Sequence, residues 1–219
     1  MSKSKIENQS QKEWRVPEAA PVVKERLYGV AIVDPPWQLY QRGKSSRSAA
    51  RHYDLMTLDE IKSMPIPSLM LPDSFIHLWV TNAVLLSGQA KEVLDAWGYT
   101  PVSILCWLKE TGGRLALGNF YRNNTEHVIV AKRGNPKVNF HGQPTYLIAP
   151  AQEHSHKPEE YHEIARRFSD GPYLEIFARR PYPGWDVWGN EVPSDIRIAG
   201  YEVPVYKEKA KQIGKEAHK

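Results

Sequence analysis

Cysteine is almost missing from this chain of 219 residues: Cys106 stands alone, so no disulfide can form within it. Set in the apolar run 104–108, Cys106 reads as a buried filler rather than a nucleophile. Long hydrophobic runs are missing too. No stretch approaches membrane-spanning length, and the polar opening MSKSKIENQSQKEW has no apolar core of a signal peptide, so a cytoplasmic protein without membrane contact is expected. Charge of one sign is nearly balanced by the other. The net charge of +4 and pI near 9.0 favour an anionic partner without proving one. The length fits one domain, and no separate recognition domain is expected.

What is present centres on YGVAIVDPPW, residues 28–37. Val30, Ala31, Ile32 and Val33 read as a strand buried on both faces. The strand ends in Asp34, Pro35, Pro36 and Trp37. Two successive prolines lack donors and fix their own φ, so they hold the exit in one stiff shape. Ligands of an open α/β sheet bind at the carboxyl ends of its strands, which puts Asp34 and Trp37 at the mouth of a crevice. These groups suit a planar base with an exocyclic amine. Such an amine is a poor nucleophile; acceptors on its two hydrogens, from Asp34 and the Pro35 carbonyl, would help it become tetrahedral. Trp37 would stack on the base, worth roughly 1–3 kcal/mol. The bland alternative is a strand-exit turn with a Trp capping the core.

Acid is absent from residues 39–52, which hold Arg42, Lys44, Arg47 and Arg51 among serines; this reads as a basic loop beside the crevice, either a gate touching phosphates or a solvated loop. Thr57 to Glu60 is a capping box opening a short helix that stops before Pro65. A buried strand over 75–80 precedes a helix over 83–97, capped by Asn82 and ended by Gly98, with Leu85, Leu86, Val93, Leu94 and Trp97 on one face. Strands follow over 104–109 and 126–133. The strand, helix, strand spacing predicts a crossover and a parallel sheet with helices on both faces. Lys109, Arg114 and Arg122 stand where they can meet phosphates, or serve solubility. Residues 135–152 read as irregular, with four of the Pro and Gly that punctuate loops. Pro158 suits the first helical position, so Lys157 and free backbone N–H groups would hold an anion at the helix start. His154 and His156 without further ligands do not make a metal site, and none is expected. A strand over 173–178 then delivers Arg179 and Arg180 to the same edge as Asp34. The flanks, 1–26 and 200–219, read as a flexible lead-in and a basic tail around a domain over 27–199.

Asp34-Pro35-Pro36-Trp37 resembles the D-P-P-W signature of the adenine N6-methyltransferase family typified by the catalytic subunit of the mRNA N6-adenosine methyltransferase. The blocks at 52–57, 78–81, 107–109, 155–159, 174–179 and 188–191 are similar to that family's, in its order, over roughly residues 27–191. The aromatic-Arg-Asn-x-Thr-Glu block at 121–126 is similar to the bacterial and phage branch. The resemblance implies a single Rossmann-like α/β domain with a mainly parallel central sheet. It also implies a circularly permuted motif order, the catalytic strand coming before the cofactor half. The cofactor implied is S-adenosyl-L-methionine, held by Asp34, Lys157, Phe177, Arg179, Asn190 and Glu191. Asp34, Pro35, Pro36 and Trp37 would be catalytic. Trp37, Arg42, Lys44, Tyr53, Lys109, Arg114, Arg122 and Asn123 would border the substrate. No acidic segment precedes the D-P-P-W strand as it often does in that family. Glu191 also stands where the mRNA enzyme has an amide.

The activity implied is methyl transfer to N6 of adenine, DNA being favoured because the chain is compact and RNA being the alternative. An inactive nucleic-acid-binding partner subunit is a further reading that the intact motif argues against. Reading a sequence with so few loops makes a homodimer or a partner subunit the natural supplement.

Overall fold

The computed structural model describes residues 26–38, 55–112, 120–151 and 156–201. The expectations placed on Arg42, Lys44, Tyr53, Arg114 and His154, on residues 1–25 and on the tail from 202 lie outside the described residues.

Among the described residues, seven strands and four α-helices follow one another as β1 (Tyr28–Val33), α1 (Leu58–Ser63), β2 (Met70–Val80), α2 (Asn82–Ser87), α3 (Gln89–Ala96), β3 (Thr100–Glu110), β4 (Thr125–Arg133), β5 (Tyr146–Pro150), α4 (Glu160–Phe168), β6 (Tyr173–Ile176) and β7 (Trp185–Trp188). The strands form one sheet in the order β5-β3-β4-β2-β1-β6-β7. β1 pairs parallel with β2 and β6, β6 with β7, and β3 with β5, whereas β4 runs antiparallel to both its neighbours. The sheet is therefore mainly parallel with one reversed strand. β2 and β3 share a direction, as the strand, helix, strand spacing predicts, yet they are not neighbours: β4 turns back from β3 and inserts between them.

β1 sits centrally and is buried on both sides. Ala31 and Val33 face the core under α1, α2 and α3, while Val30 and Ile32 face the one under α4. Burying each of these Val and Ile side chains contributes about 1.5–3 kcal/mol. Helices thus cover both faces, and none among the described residues is long and apolar enough to cross a membrane.

The capping box is present: the Glu60 N–H donates to the Thr57 hydroxyl and the Thr57 N–H to the Glu60 carboxylate at 2.7 Å. Elsewhere the structure corrects the expectations. The helix over 83–97 is two helices, because Gly88 adopts φ 79°, closing α2 and opening α3. Thr81, not Asn82, caps α2, and Leu86 faces solvent. Residues 135–152 are not wholly irregular, since 146–150 add edge strand β5, whose terminal Pro150 suits an edge. α4 begins at Glu160 rather than at Pro158.

His77 on β2 is buried among Phe75, Phe168 and Tyr161, with Nδ1 2.7 Å from the Tyr161 hydroxyl. Burial pushes its pKa down to about 3. An unfolded histidine takes up a proton below about pH 6.5, while the folded one refuses it until about pH 3, so stability falls as pH drops through that window. Between pH 7 and pH 5 the loss from this group is about 2 kcal/mol. Urea titrations at the two pH values should show it, and His77→Asn, whatever its cost at pH 7, should remove that difference.

Candidate active site

The exit of β1 is fastened from every side. The Asp34 N–H donates to the Ile176 carbonyl at 3.3 Å, and the Trp37 N–H turns back to the Pro35 carbonyl at 2.9 Å. Met56 donates to the Pro36 carbonyl at 2.9 Å and accepts from the Gln38 N–H at 3.0 Å. The prolines remove donors where none is wanted and leave carbonyls that each accept one of these bonds and keep a second lone pair. Trp37 is only 9% exposed, and its indole N–H donates to the Trp79 carbonyl at 3.0 Å. The ring is thus a core side chain that anchors the motif, with little of its surface left for a stacked base.

Because β4 is reversed, its first residues reach the carboxyl edge of the parallel strands, and a chain of alternating charges assembles there. Lys109 Nζ, from the end of β3, lies 2.5 Å from Glu126 on β4. The other Glu126 oxygen is 3.2 Å from Lys157 Nζ, which is 2.8 Å from Asp34 Oδ2. All four side chains are largely buried. The two ammonium groups also lie over rings, Lys157 5.5 Å from the centre of Trp79 and Lys109 4.8 Å from that of Trp107.

Burial pushes the Asp34 carboxyl above its usual range, and the charges of Lys157 and Arg179 oppose this without cancelling it. Burial disfavours the Lys157 ammonium as well, but Asp34 and Glu126 outweigh it and hold the group charged. Glu126 is likewise penalised by burial, yet Lys157 and Lys109 bring its pKa below the usual value. The result is a basic carboxylate at Asp34, kept in place by a firmly charged lysine.

Beside this, β6 and β7 end together. Phe177 takes φ 66°, a left-handed conformation that costs a non-glycine residue about 1–2 kcal/mol, and its ring meets Trp188 edge-on at 5.6 Å. The Ala178 N–H donates to the Trp188 carbonyl at 3.0 Å. Gly189 then passes so close that a β-carbon there would lie 2.0 Å from the Ala178 carbonyl oxygen. This contact holds the two exits together, one continuing into Arg179 and the other into Asn190 and Glu191. Gly189→Ala should force the two exits apart and cost about 3 kcal/mol, read as a lowered urea midpoint.

The structure therefore brings together Asp34, Pro35, Lys157, Lys109 and Arg179 at one edge, with Phe177, Asn190 and Glu191 on the adjoining exit. Arg122 and Asn123 lie exposed just before β4. Lys157 stands near the start of α4, and two of the three donors of its ammonium are engaged by Asp34 and Glu126. Arg180, beyond Arg179, pairs with Glu159 at 2.5 Å and donates to His156 at 2.7 Å. Among the described residues no group of three His, Cys, Asp or Glu side chains gathers as metal ligands would. Glu126 is the residue that the sequence reading underrated. Its one signal is an acid at the start of an apolar strand, within a block otherwise assigned to the substrate border.

The sequence profile of the MT-A70 family matches residues 28–191. The chain belongs to the MT-A70 family. An Arabidopsis thaliana relative named N(6)-adenosine-methyltransferase MT-A70-like is 31% identical over 173 residues, which are 75% of this chain and 24% of that protein. The human N(6)-adenosine-methyltransferase catalytic subunit METTL3 is 29% identical over 174 residues, 75% of this chain and 28% of its own. Human METTL4, an N(6)-adenine-specific methyltransferase, is 32% identical over 184 residues, 76% of this chain and 38% of its own. This MT-A70 chain thus spans well under half the length of these relatives.

Proposed function

We propose that this chain transfers a methyl group from S-adenosyl-L-methionine to N6 of adenine in nucleic acid, with DNA as the first substrate and RNA as the second. The observation that carries the reading is Asp34: a buried carboxylate at the exit of the central strand of an MT-A70 domain, its pKa raised by burial and its position fixed 2.8 Å from Lys157. The bacterial or phage branch, and with it DNA, rests on the block at 121–126. The adenosine named for METTL3 and the Arabidopsis relative favours RNA.

The residues fit the cofactor. Lys157 and Arg179 supply two cations for its carboxylate, Phe177 an apolar wall, and Asn190 and Glu191 partners for ribose hydroxyls. When bound, the cofactor supplies an electrophilic methyl group on a sulfonium centre. With the cofactor held there, the catalytic strand precedes the cofactor half in chain order, which is the permuted arrangement. Asp34 and the Pro35 carbonyl accept the two amine hydrogens and turn the lone pair out of conjugation. The product amine carries an extra proton, and burial makes Asp34 a better acceptor for it than an exposed carboxylate. Glu126, held between Lys109 and Lys157, offsets part of the Lys157 charge, and Trp37 holds the motif by its tie to Trp79. Since METTL3 is by name a subunit, a second copy or a partner chain is part of the proposal.

The test is transfer of labelled methyl to duplex DNA, single-stranded DNA and RNA in parallel, with the modified nucleoside identified after digestion. N6-methyladenine in DNA supports the first substrate, and N6-methyladenosine in RNA alone replaces it with the second. Cofactor binding without transfer to any polymer would overturn the activity.

A further inference from the structure

Two neighbouring rings stand almost wholly in solvent: Phe120 is 97% exposed and Tyr121 is 89%. Most other rings among the described residues are buried, so an exposed adjacent pair calls for a contact outside the chain. Its place is fixed. The Asn124 N–H donates to the Arg122 carbonyl at 3.1 Å, and the Lys109 N–H donates to the Asn124 carbonyl at 2.9 Å. The segment is thereby clamped to the end of β3, at the residue whose ammonium meets Glu126. At no more than about 3.6 Å per residue, the backbone of both rings lies within about 15 Å of Asn124, which is tied to Lys109 at one end of the charge chain.

We propose that Phe120 and Tyr121 form a stacking platform for unpaired bases flanking the target adenine. The proposal rests on the reading of the site as a nucleic-acid methyltransferase. Aromatic faces accept any base and therefore bind a strand without selecting its sequence. In a duplex those base faces are covered by their neighbours; in an opened strand they are not. Arg122 and Asn123 are exposed directly after the rings and offer donors to the intervening phosphates. The composition separates this patch from the other exposed apolar one, a mainly aliphatic strip of Val102, Ile104, Leu108, Tyr146 and Ile148 on β3 and β5. That strip has the character of a protein contact, whereas a ring pair followed by Arg and Asn has that of a strand contact.

The experiment measures fluorescence anisotropy of short single-stranded DNA and RNA oligonucleotides, each carrying one adenine, with the wild-type chain and with Phe120→Ala/Tyr121→Ala. A second set replaces the nucleotides flanking the adenine with abasic ones. The exposed rings hold no core, so the variant should keep the wild-type urea midpoint. The platform predicts binding weaker by about 5- to 100-fold in the variant. It also predicts the same loss for wild type on abasic strands, and no further loss when both changes are combined. Where transfer occurs, KM should rise while kcat stays. Unchanged affinity, or losses that simply add, would overturn the proposal, as would a change of sedimentation mass, which would assign the rings to a protein partner. Binding is read without methyl transfer, so ring-dependent binding with no transfer would sink the enzymatic reading alone, and transfer indifferent to the rings would sink the platform alone. Whichever polymer shows the ring dependence identifies the strand.

Discussion

Asp34→Asn should lower methyl transfer by about a thousandfold while changing cofactor affinity by less than about tenfold. The substitution keeps the shape of the side chain and the fastening of β1 through Ile176, Pro35 and Met56, so the fold is not at stake. What it removes is the negative charge. An amide turned toward the substrate presents either an oxygen too weak to take the product proton or an NH2 group facing another amine. Lys157 loses one of its two carboxylates but keeps Glu126 at 3.2 Å, so it remains charged and able to serve the cofactor. The rate of the wild type should also rise with pH through a value above the usual carboxylate range, because burial raises Asp34 and only its ionised form accepts. Transfer assays across pH, paired with calorimetric binding of the cofactor, check both parts. Retention of activity within tenfold would remove Asp34 from the chemistry.

The parts of this fold that were legible in the sequence are those set by local rules. The run 30–33 had to be buried on both faces because it alternates nothing polar, and Thr57 to Glu60 spelled its cap outright. Gly88 was harder to read. A glycine inside a helical pattern is ordinarily tolerated, and only its φ of 79° shows that the chain turns there. The edge strand β5 has one exposed face and a proline at its end, so it looked like loop. The charge chain was the least legible of all. Asp34, Lys109 and Lys157 each stood out as candidates, but their union depends on β4 lying antiparallel between β2 and β3, which carries Glu126 to the edge where the parallel strands end. No spacing along the sequence encodes that insertion. The burial of Trp37 is of the same kind, since it is the carbonyl of Trp79 on a neighbouring strand that draws the indole inward.

Lys157→Met should be the most damaging single change to stability and should end transfer as well. It leaves Asp34 and Glu126 as two largely buried carboxylates with their shared cation gone. Breaking such a buried pair costs about 3–5 kcal/mol. Arg179 near Asp34 and Lys109 at 2.5 Å from Glu126 soften the loss, so about 3 kcal/mol is expected, a fall in Tm of roughly 6–12 °C for a chain of this size. The pH dependence identifies the origin. Glu126 is held below its usual pKa, so its contribution is present above about pH 4.5 and is lost as pH falls through the lowered value. Lys157 is held above its own, so its contribution persists to about pH 10.5 and is lost as pH rises through the raised value. Asp34 runs the other way, its raised pKa making ionisation a cost in the folded state. The variant should therefore lose its deficit on acidification, as the stranded carboxylates become neutral. Lys157→Met/Glu126→Gln should recover part of the stability at pH 7, because one of the two like charges is gone while Lys109 in turn loses its carboxylate partner. It should stay inactive, because Asp34 still lacks the cation that positions it. Recovery of stability without activity separates the lysine's electrostatic support of the fold from its part in the site, and strictly additive losses would show that the two carboxylates do not share it.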